Sequence, residues 1–401
     1  VTRLLCFADL HLGSGQAYSD DRLADQEAVL NQIADLAHDE SVDLICLAGD
    51  VFHRPRPTPA ALMVFSRFLK RLENPEIPCI AVLGNCGHDQ EGIDRPAALE
   101  LFASHRFRVS RRPELITEFA GVAVATLPSV PVSRLVAGSE SAERGPVFAQ
   151  AAEALLAVAH DLNYQASEAG YHNRSRVLVG HWSITGASLP NGLPSDSFGE
   201  PVVDFDALQA IGYQAIVLGH LHKPQRLDDQ EMWGGPTTMM VYCGSPLPVD
   251  FGEEMVEHGC WILEVADNGD ETADFHPLES RRFVTIDCDL TGDFRGFDET
   301  DALAAAVAAR FPLTDAVVRL RYRCSEEQQR RIDLPAIKKL VADAGVHKLY
   351  QVAPEIVRED RARVAGVDEN LSPQEALRAW VEANGLSEDQ AARIRELMET
   401  P

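Results

Sequence analysis

The eight cysteines of this sequence include no Cys-x-x-Cys pair, which removes the commonest zinc and dithiol signatures. Several sit inside apolar runs, where a reduced thiol behaves as a small hydrophobe, so a cytoplasmic setting is expected. No uninterrupted apolar stretch approaches a membrane span, and Asp9 breaks the apolar start at once. Neither a membrane protein nor a secretory leader is therefore expected. Positive charge is scarce: 36 Lys and Arg face 62 Asp and Glu, for a formal net charge of −26. A surface of that sign repels nucleic acid, except where bound cations or local basic residues invert the field. Internal repeats and low-complexity tracts are missing too, which excludes a solenoid or a disordered array.

What is present is a chain of 401 residues, enough for two or three domains, whose first 250 residues alternate strand and helix signals. LLCFAD, VDLICLAG, PCIAVLG, GVAVATLP, RVLVGH, QAIVLGH and MMVYCG are apolar runs of strand length. DRLADQEAVLNQIADLAH and TPAALMVFSRFLKRLE carry helical periodicity between them. The expectation is a layered α/β sandwich with flanking helices over 1–275. A small α+β capping module follows over 280–354, built from RRFVTIDCDL, AVVRLRYRC, HKLYQVAP and two helices. VREDRARVAGVDEN reads as a linker, and 370–401 as a helical hairpin capped by Ser372 and Ser387. The apolar positions Leu377, Trp380, Val381, Ile394, Leu397 and Met398 pack within the chain or form a docking face for a partner helix.

Polar residues concentrate where the strands end. Asp9 and His11 follow the first run, Asp50 and His53 the second, Asn85 and His88 the third. His181 closes RVLVGH, while His220 and His222 close IVLGHLH. Ligands bind at the carboxyl ends of strands in open α/β sheets. Imidazoles mixed with carboxylate and amide oxygens suit Mn, Fe or Zn, and so many donors exceed one ion but suit two sharing a carboxylate.

D-x-H, GD, GN…HD, GH and GH-x-H in this order resemble the calcineurin-like metallophosphoesterase superfamily. ADLHLG, GDVFHRPRPTP and YCGSPLPVDFGEE are similar to the SbcD/Mre11 family of DNA-repair nuclease subunits. The resemblance implies two divalent metal ions, Mn above all. Asp9, His11 and His222 would hold one, Asn85, His181 and His220 the other, and Asp50 would bridge them. It also implies His88 as general acid with Asp89 as its orienter, and His53 near the DNA path. DNA ends and hairpins are the implied substrates, an SbcC/Rad50-like coiled-coil ATPase the implied partner, and a homodimer the implied state. A phosphoesterase for a cyclic nucleotide or phosphomonoester, or a catalytically impaired scaffold subunit, are the alternatives.

One stretch departs from the family. Its usual Gly-Asn-His-Asp is interrupted here by Cys86-Gly87. Gly87 could carry a bulge that returns Asn85 and His88 to position. Alternatively Cys86 takes the acid's place, or the site is impaired. The bulge is favoured because every other ligand is intact. Arg106, Arg108, Arg111 and Arg112 form the densest basic cluster, a candidate patch toward DNA or a second copy of the chain, and Arg54 and Arg56 are candidate phosphate contacts. Cys243, where the family commonly has proline, is read as packing, and Trp233 and Trp261 as core or capping aromatics.

Overall fold

The computed structural model describes the chain except Gln16, Asp20, Ile93, residues 137–143, 172–174, 228–237, 268–270, 293–297, 358–371, 373, 376–377, 379–380 and 382–401. Two compact units emerge: one of residues 1–285, 311–319 and 341–351, the other of 286–310, 320–340 and 352–401.

The first unit is built on two six-stranded sheets. Its strands are β1 (Thr2–Phe7), β2 (Leu44–Leu47), β3 (Cys79–Val82), β4 (Phe107–Ser110), β5 (Glu114–Ile116), β6 (Ala123–Leu127), β7 (Arg176–His181), β8 (Ser183–Ile184), β9 (Val202–Val203), β10 (Ala215–Gly219), β11 (Gln225–Arg226), β12 (Met239–Tyr242), β13 (Gly259–Val265) and β14 (Thr272–Pro277). One sheet has the order β14-β13-β1-β2-β3-β4, the other β11-β12-β10-β7-β6-β5. β1 through β4 pair in parallel, as do β6, β7, β10 and β12, while antiparallel strands close three of the four edges.

Side-chain alternation explains the layering. Leu4, Cys6, Leu44, Cys46, Ile80 and Val82 face Val124, Val177, Val179, Val217 and Val241 of the other sheet. On the opposite face Leu5, Phe7, Ile45 and Leu47 meet Ile33 of helix α1 (Arg22–Asp39) and Phe65 and Phe68 of α2 (Pro59–Arg71). Thr58 caps α2, its hydroxyl accepting from the Ala61 N–H, and Pro59 fills the first helical position. Leu155, Ala159 and Leu162 cover the outer face of the second sheet, from the long helix Arg144–Ala166. Strands covered on both sides must be apolar at nearly every position, which is why their runs stand out in the sequence. The expected layered α/β sandwich is what forms.

Beyond residue 280 lie β15 (Phe283–Asp289), β16 (Val317–Cys324) and β17 (Lys348–Ile356), a three-stranded sheet in chain order, with helices Glu299–Ala308, Glu326–Arg331 and Leu334–Asp343. Residues 311–319 and 341–351 group with the first unit. Arg281 there pairs with Asp25 and Asp315, His347 with Ser19 at 2.7 Å, and Tyr350 packs on Tyr18 and Phe251. The compact division therefore crosses the segment expected to form one capping module. Of the tail, Ser372 and Glu375 make the reciprocal bonds of a capping box. Ser387, Leu377, Trp380, Ile394, Leu397 and Met398 fall outside the described residues, as does Trp233.

Candidate metal centre

The parallel strands of both sheets end toward one place, and their terminal loops carry the polar residues. Asp9, His11, Asp50 and His220 all adopt positive φ, at 52°, 46°, 52° and 89°. For residues with a Cβ this costs about 1–2 kcal/mol each, and such strain collects at functional sites. Local bonds hold it in place. The backbone N–H of His220 donates to both Asp9 carboxylate oxygens at 3.0 and 2.9 Å. Gln26 of α1 donates to the His11 carbonyl at 3.0 Å and accepts from the Gly13 N–H at 2.9 Å. Gly84 passes so close to Asp50 that an added Cβ would lie 2.0 Å from its Oδ1. Only glycine fits there.

The side chains then converge. Donor atoms of Asp9, His11 and His222 lie within 4.8 Å of one another, as do those of Asp9, Asp50 and His181. His11 Nε2 and His222 Nε2 are 3.1 Å apart. Asp50 Oδ2 lies 3.4 Å from His181 Nε2 and 3.9 Å from His11 Nε2, between the two groups, while its Oδ1 accepts from the Asn85 N–H at 2.7 Å. Asn85 Nδ2 reaches His220 Nδ1 at 2.9 Å, and Asn85 Oδ1 accepts from the Ser129 hydroxyl at 3.0 Å.

A tautomer is set at three of the four imidazoles by the nitrogen facing away from the cluster. His181 Nδ1 donates to the Ala48 carbonyl at 2.7 Å. His222 Nδ1 is bonded to Glu253, and His220 Nε2 to Glu200. The inward atoms are thus Nε2 of His181 and His222 and Nδ1 of His220. Among the described residues, His11 Nδ1 and His181 Nε2 are buried and make no hydrogen bond of ordinary geometry.

The buried carboxylates and imidazoles of this cluster shift one another's protonation. Burial raises the Asp9 carboxyl, with Asp50 adding to the effect against the histidines. Burial opposes charge on Asp50 as well, but His181, His11 and His88 outweigh it and hold the carboxyl low. His181 is buried, yet Asp50 and Asp9 push it up to about 10. His222 is likewise buried, and Glu253 and Asp9 raise it to about 9. Burial keeps His11 well below its usual value, helped by His222, His88 and His53. Protons on His181 and His222 stand where cations would balance two buried carboxylates. Two nitrogens about 2.1 Å from one cation are separated by about 3.0–3.4 Å, so the 3.1 Å contact of His11 and His222 fits a shared ion. The donor set of buried Asp, Asn and His fits divalent cations.

The interrupted motif resolves into a turn. His88 N–H donates to the Asn85 carbonyl at 3.1 Å, and Gly87, at φ +106°, occupies the turn position that demands a left-handed residue. Cys86 and Gly87 are exposed, while His88 turns inward with its ring 4.6 Å from His11 and 5.5 Å from His53. Donor atoms of His11, His53 and His88 cluster within 4.8 Å. Cys86 does not take the place expected of the acid.

Asp89 corrects an expectation. It does not orient His88. Its carboxylate accepts from the backbone N–H groups of Val51, Phe52 and Gly84 at 3.2, 2.9 and 3.0 Å, tying the second strand's loop to the third's. Burial and the nearby Asp50 charge still raise it to about 6, against the pull of those donors. The His88 ring is oriented instead by the His53 backbone carbonyl, 2.8 Å from Nδ1. The His53 imidazole is lowered by burial, by His88 and by Arg54. Its side chain lines the site, and its carbonyl holds the neighbour.

The arginines of the basic cluster each have an acidic partner. Arg106 pairs with Glu76, Arg108 with Glu114, Arg111 with Glu100 and Arg112 with Asp94, so these guanidiniums are matched by local carboxylates. Arg56 pairs with Glu91. Cys243 is fully buried between the sheets, and Trp261 is buried against Phe275, donating to the Tyr242 carbonyl. The sequence pattern did not reveal Glu200, Glu253 or Ser129. Glu253 lies in a stretch singled out above, but nothing in FGEE says which carboxylate turns toward His222.

Beside the cluster opens a cavity of about 370 Å³, lined on its polar side by Asn85, His88, His181, Glu200 and His220.

The family model described as calcineurin-like phosphoesterase matches residues 2–224. Over 389 residues the chain is 26% identical to a DNA double-strand break repair protein Mre11 of Haloferax volcanii, covering 96% of this chain and 75% of that one. The SbcD component of the nuclease SbcCD of Escherichia coli K12 is 27% identical over 265 residues, 63% of this chain and 62% of that protein. The corresponding SbcCD component of Staphylococcus epidermidis is 26% identical over 293 residues, 72% of this chain and 71% of its own. Against the Escherichia coli protein the chain thus spans less than two thirds of the relative's length.

Proposed function

The chain belongs to the calcineurin-like phosphoesterase family and is a metal-dependent phosphodiesterase; from that premise we propose that its substrate is DNA, cleaved at duplex ends and hairpins by the nuclease subunit of a repair complex. The observation that carries the reading is the joint one: a two-cation donor set at the ends of five parallel strands, in a chain similar along 96% of its length to a repair protein. In this reading Asp9, His11 and His222 hold one cation, Asn85, His181 and His220 the other, and Asp50 is shared. Mn is the working metal. Two such cations supply Lewis acidity that neutralises the phosphodiester and activates water.

The chain's own residues do the rest. His88 gives a proton to the leaving oxygen through Nε2, because Nδ1 is committed to the His53 carbonyl. Asp89 keeps the loops bearing Asp50 and Asn85 in register through its three backbone bonds. His53 closes the same side of the site. What supports activity over a silent scaffold is the inward position of His88 despite the interrupted motif.

The complex would be a homodimer with an SbcC/Rad50-like coiled-coil ATPase docked on the C-terminal helices, and 280–354 would cap the DNA. That partner would supply much of the DNA grip that a net charge of −26 denies this chain. The experiment is a cleavage assay on linear duplex, hairpin DNA and a model phosphodiester, with Mn, with and without the ATPase and ATP. Cleavage of DNA ends, lost in Asp50→Ala and His181→Ala, is the expected result. Turnover of the model diester with DNA left intact would replace this reading with a small-substrate phosphoesterase.

A further inference from the structure

Glu200 belongs to no parallel strand end, yet its carboxylate reaches the centre. It lies two residues before β9, which pairs in parallel with β8, Ser183 opposite Val202. β8 itself starts just after His181, the last residue of β7. A two-stranded ribbon thereby delivers Glu200 beside the end of the strand that carries one of the histidines. There its Oε1 accepts from the Ser183 hydroxyl at 2.6 Å and from His220 Nε2 at 2.5 Å.

The contact decides what His220 can do. With the proton on Nε2, bonded to Glu200, the lone pair sits on Nδ1, which accepts from Asn85 Nδ2 at 2.9 Å. Turning the Asn85 amide over would present Oδ1 to that same point and leave Nδ2 beside the Ser129 hydroxyl, which can accept as well as donate. His220 and Asn85 then face one position as donors. The His220 ring lies 5.3 Å from that of His181, the third member of the group.

The arrangement mirrors Glu253 on His222 with the nitrogens exchanged. One difference matters. Glu253 also accepts from the Ser245 hydroxyl and the Val249 N–H and is nearly buried. Glu200 is 30% exposed and stands in the wall of the 370 Å³ cavity.

We infer that Glu200 is the positioning residue of the second cation site, fixing His220 as an Nδ1 ligand through a carboxylate–histidine contact. Such outer contacts raise ligand basicity and lock ring orientation, and losing one weakens metal binding by about 10–100-fold. The effect is local: the site of Asp9, His11 and His222 keeps its own support in Glu253. The inference rests on the family's metal chemistry and not on DNA as substrate, so a protein that binds both cations and cleaves no DNA leaves it standing.

The test is Mn titration of wild type, Glu200→Gln and Ser183→Ala, read by calorimetry and by electron paramagnetic resonance of the spin-coupled pair. Wild type and Ser183→Ala should take up two Mn ions and show the coupled signal. Glu200→Gln should retain one ion, bind the second about 10–100-fold more weakly, and recover the coupled signal at excess Mn. Equal affinity for both ions in Glu200→Gln, or equal weakening of both, would overturn the inference. Nitrogen NMR of wild-type imidazoles gives the answer without a variant. A proton on His220 Nε2 with diamagnetic Zn bound supports it; a proton on Nδ1, or Glu200 itself bound to the ion, refutes it.

Discussion

The backbone N–H of His88 bonds to the carbonyl of Asn85 across 3.1 Å, closing a turn with Cys86 and Gly87 at its exposed tip, Cys86 also standing in the wall of the 370 Å³ cavity. Two extra residues are absorbed without moving the side chains on either side away from the cluster. The turn depends on Gly87, whose φ of +106° disfavours any residue with a Cβ although the space around it is open. Gly87→Val should cost about 1–2 kcal/mol in local strain and displace His88. Turnover of a model diester should fall at least tenfold while the thermal midpoint moves by a few degrees. Cys86→Ser should leave turnover unchanged. A tenfold loss in Cys86→Ser would return that thiol to the candidate catalytic set.

Asp89 and His88 are neighbours in sequence with separable duties. His88→Ala should lower turnover by about 10²–10⁴-fold, the usual contribution of a general acid, with little change in stability. Asp89→Ala strips an acceptor from three buried N–H groups, each about 1–3 kcal/mol when left unpaired. Chemical denaturation should show a large loss of stability in that variant. A stable, inactive Asp89→Ala protein would restore the orienter role expected from its place in the motif.

Cysteine, glycine and apolar runs made the parallel strands legible because both faces of each are covered, and the residues at their carboxyl ends followed directly. β4, β5, β13 and β14 were not among the expected strands. β4 and β5 are edge or near-edge strands of three or four residues whose polar positions break the apolar pattern, while β14 alternates between exposed and half-buried residues. β13 is apolar along most of its length, so its absence from that set has no physical cause. The outer carboxylates stayed hidden for another reason. Glu200 reaches His220 through a ribbon of two-residue strands, too short to leave any periodicity. The pairing of the arginine cluster was not legible because three of its acids, Glu76, Glu100 and Asp94, come from other segments of the chain.

Proton and cation compete for the same nitrogens. In the metal-free protein His181 is raised to about 10 and His222 to about 9, against burial, by the carboxylates around them. The stability this provides is fully present below a pH of about 6.5, the ordinary histidine value, and is lost as pH rises through about 9 and 10. Melts in chelator should therefore fall across that window. Added Mn should bind more tightly as pH rises and should release protons on binding, measurable by calorimetry in buffers of different ionisation heat. Metal binding at a pH of about 7.5 with no proton release would contradict the protonation assigned to these two rings.

Removing the shared carboxylate is the sharpest substitution. Asp50→Ala should leave a folded protein in which the pair of cations can no longer be held together, and diester turnover should be lost. A variant with wild-type turnover and metal content would break the assignment of Asp50 between His11 and His181.

The most direct measurement is anomalous diffraction from crystals grown with Mn. Two peaks about 3.5–4 Å apart are predicted, one at Asp9, His11 and His222, the other at Asn85, His181 and His220, with Asp50 touching both. A single peak, or a pair elsewhere on the molecule, would contradict the account at its root.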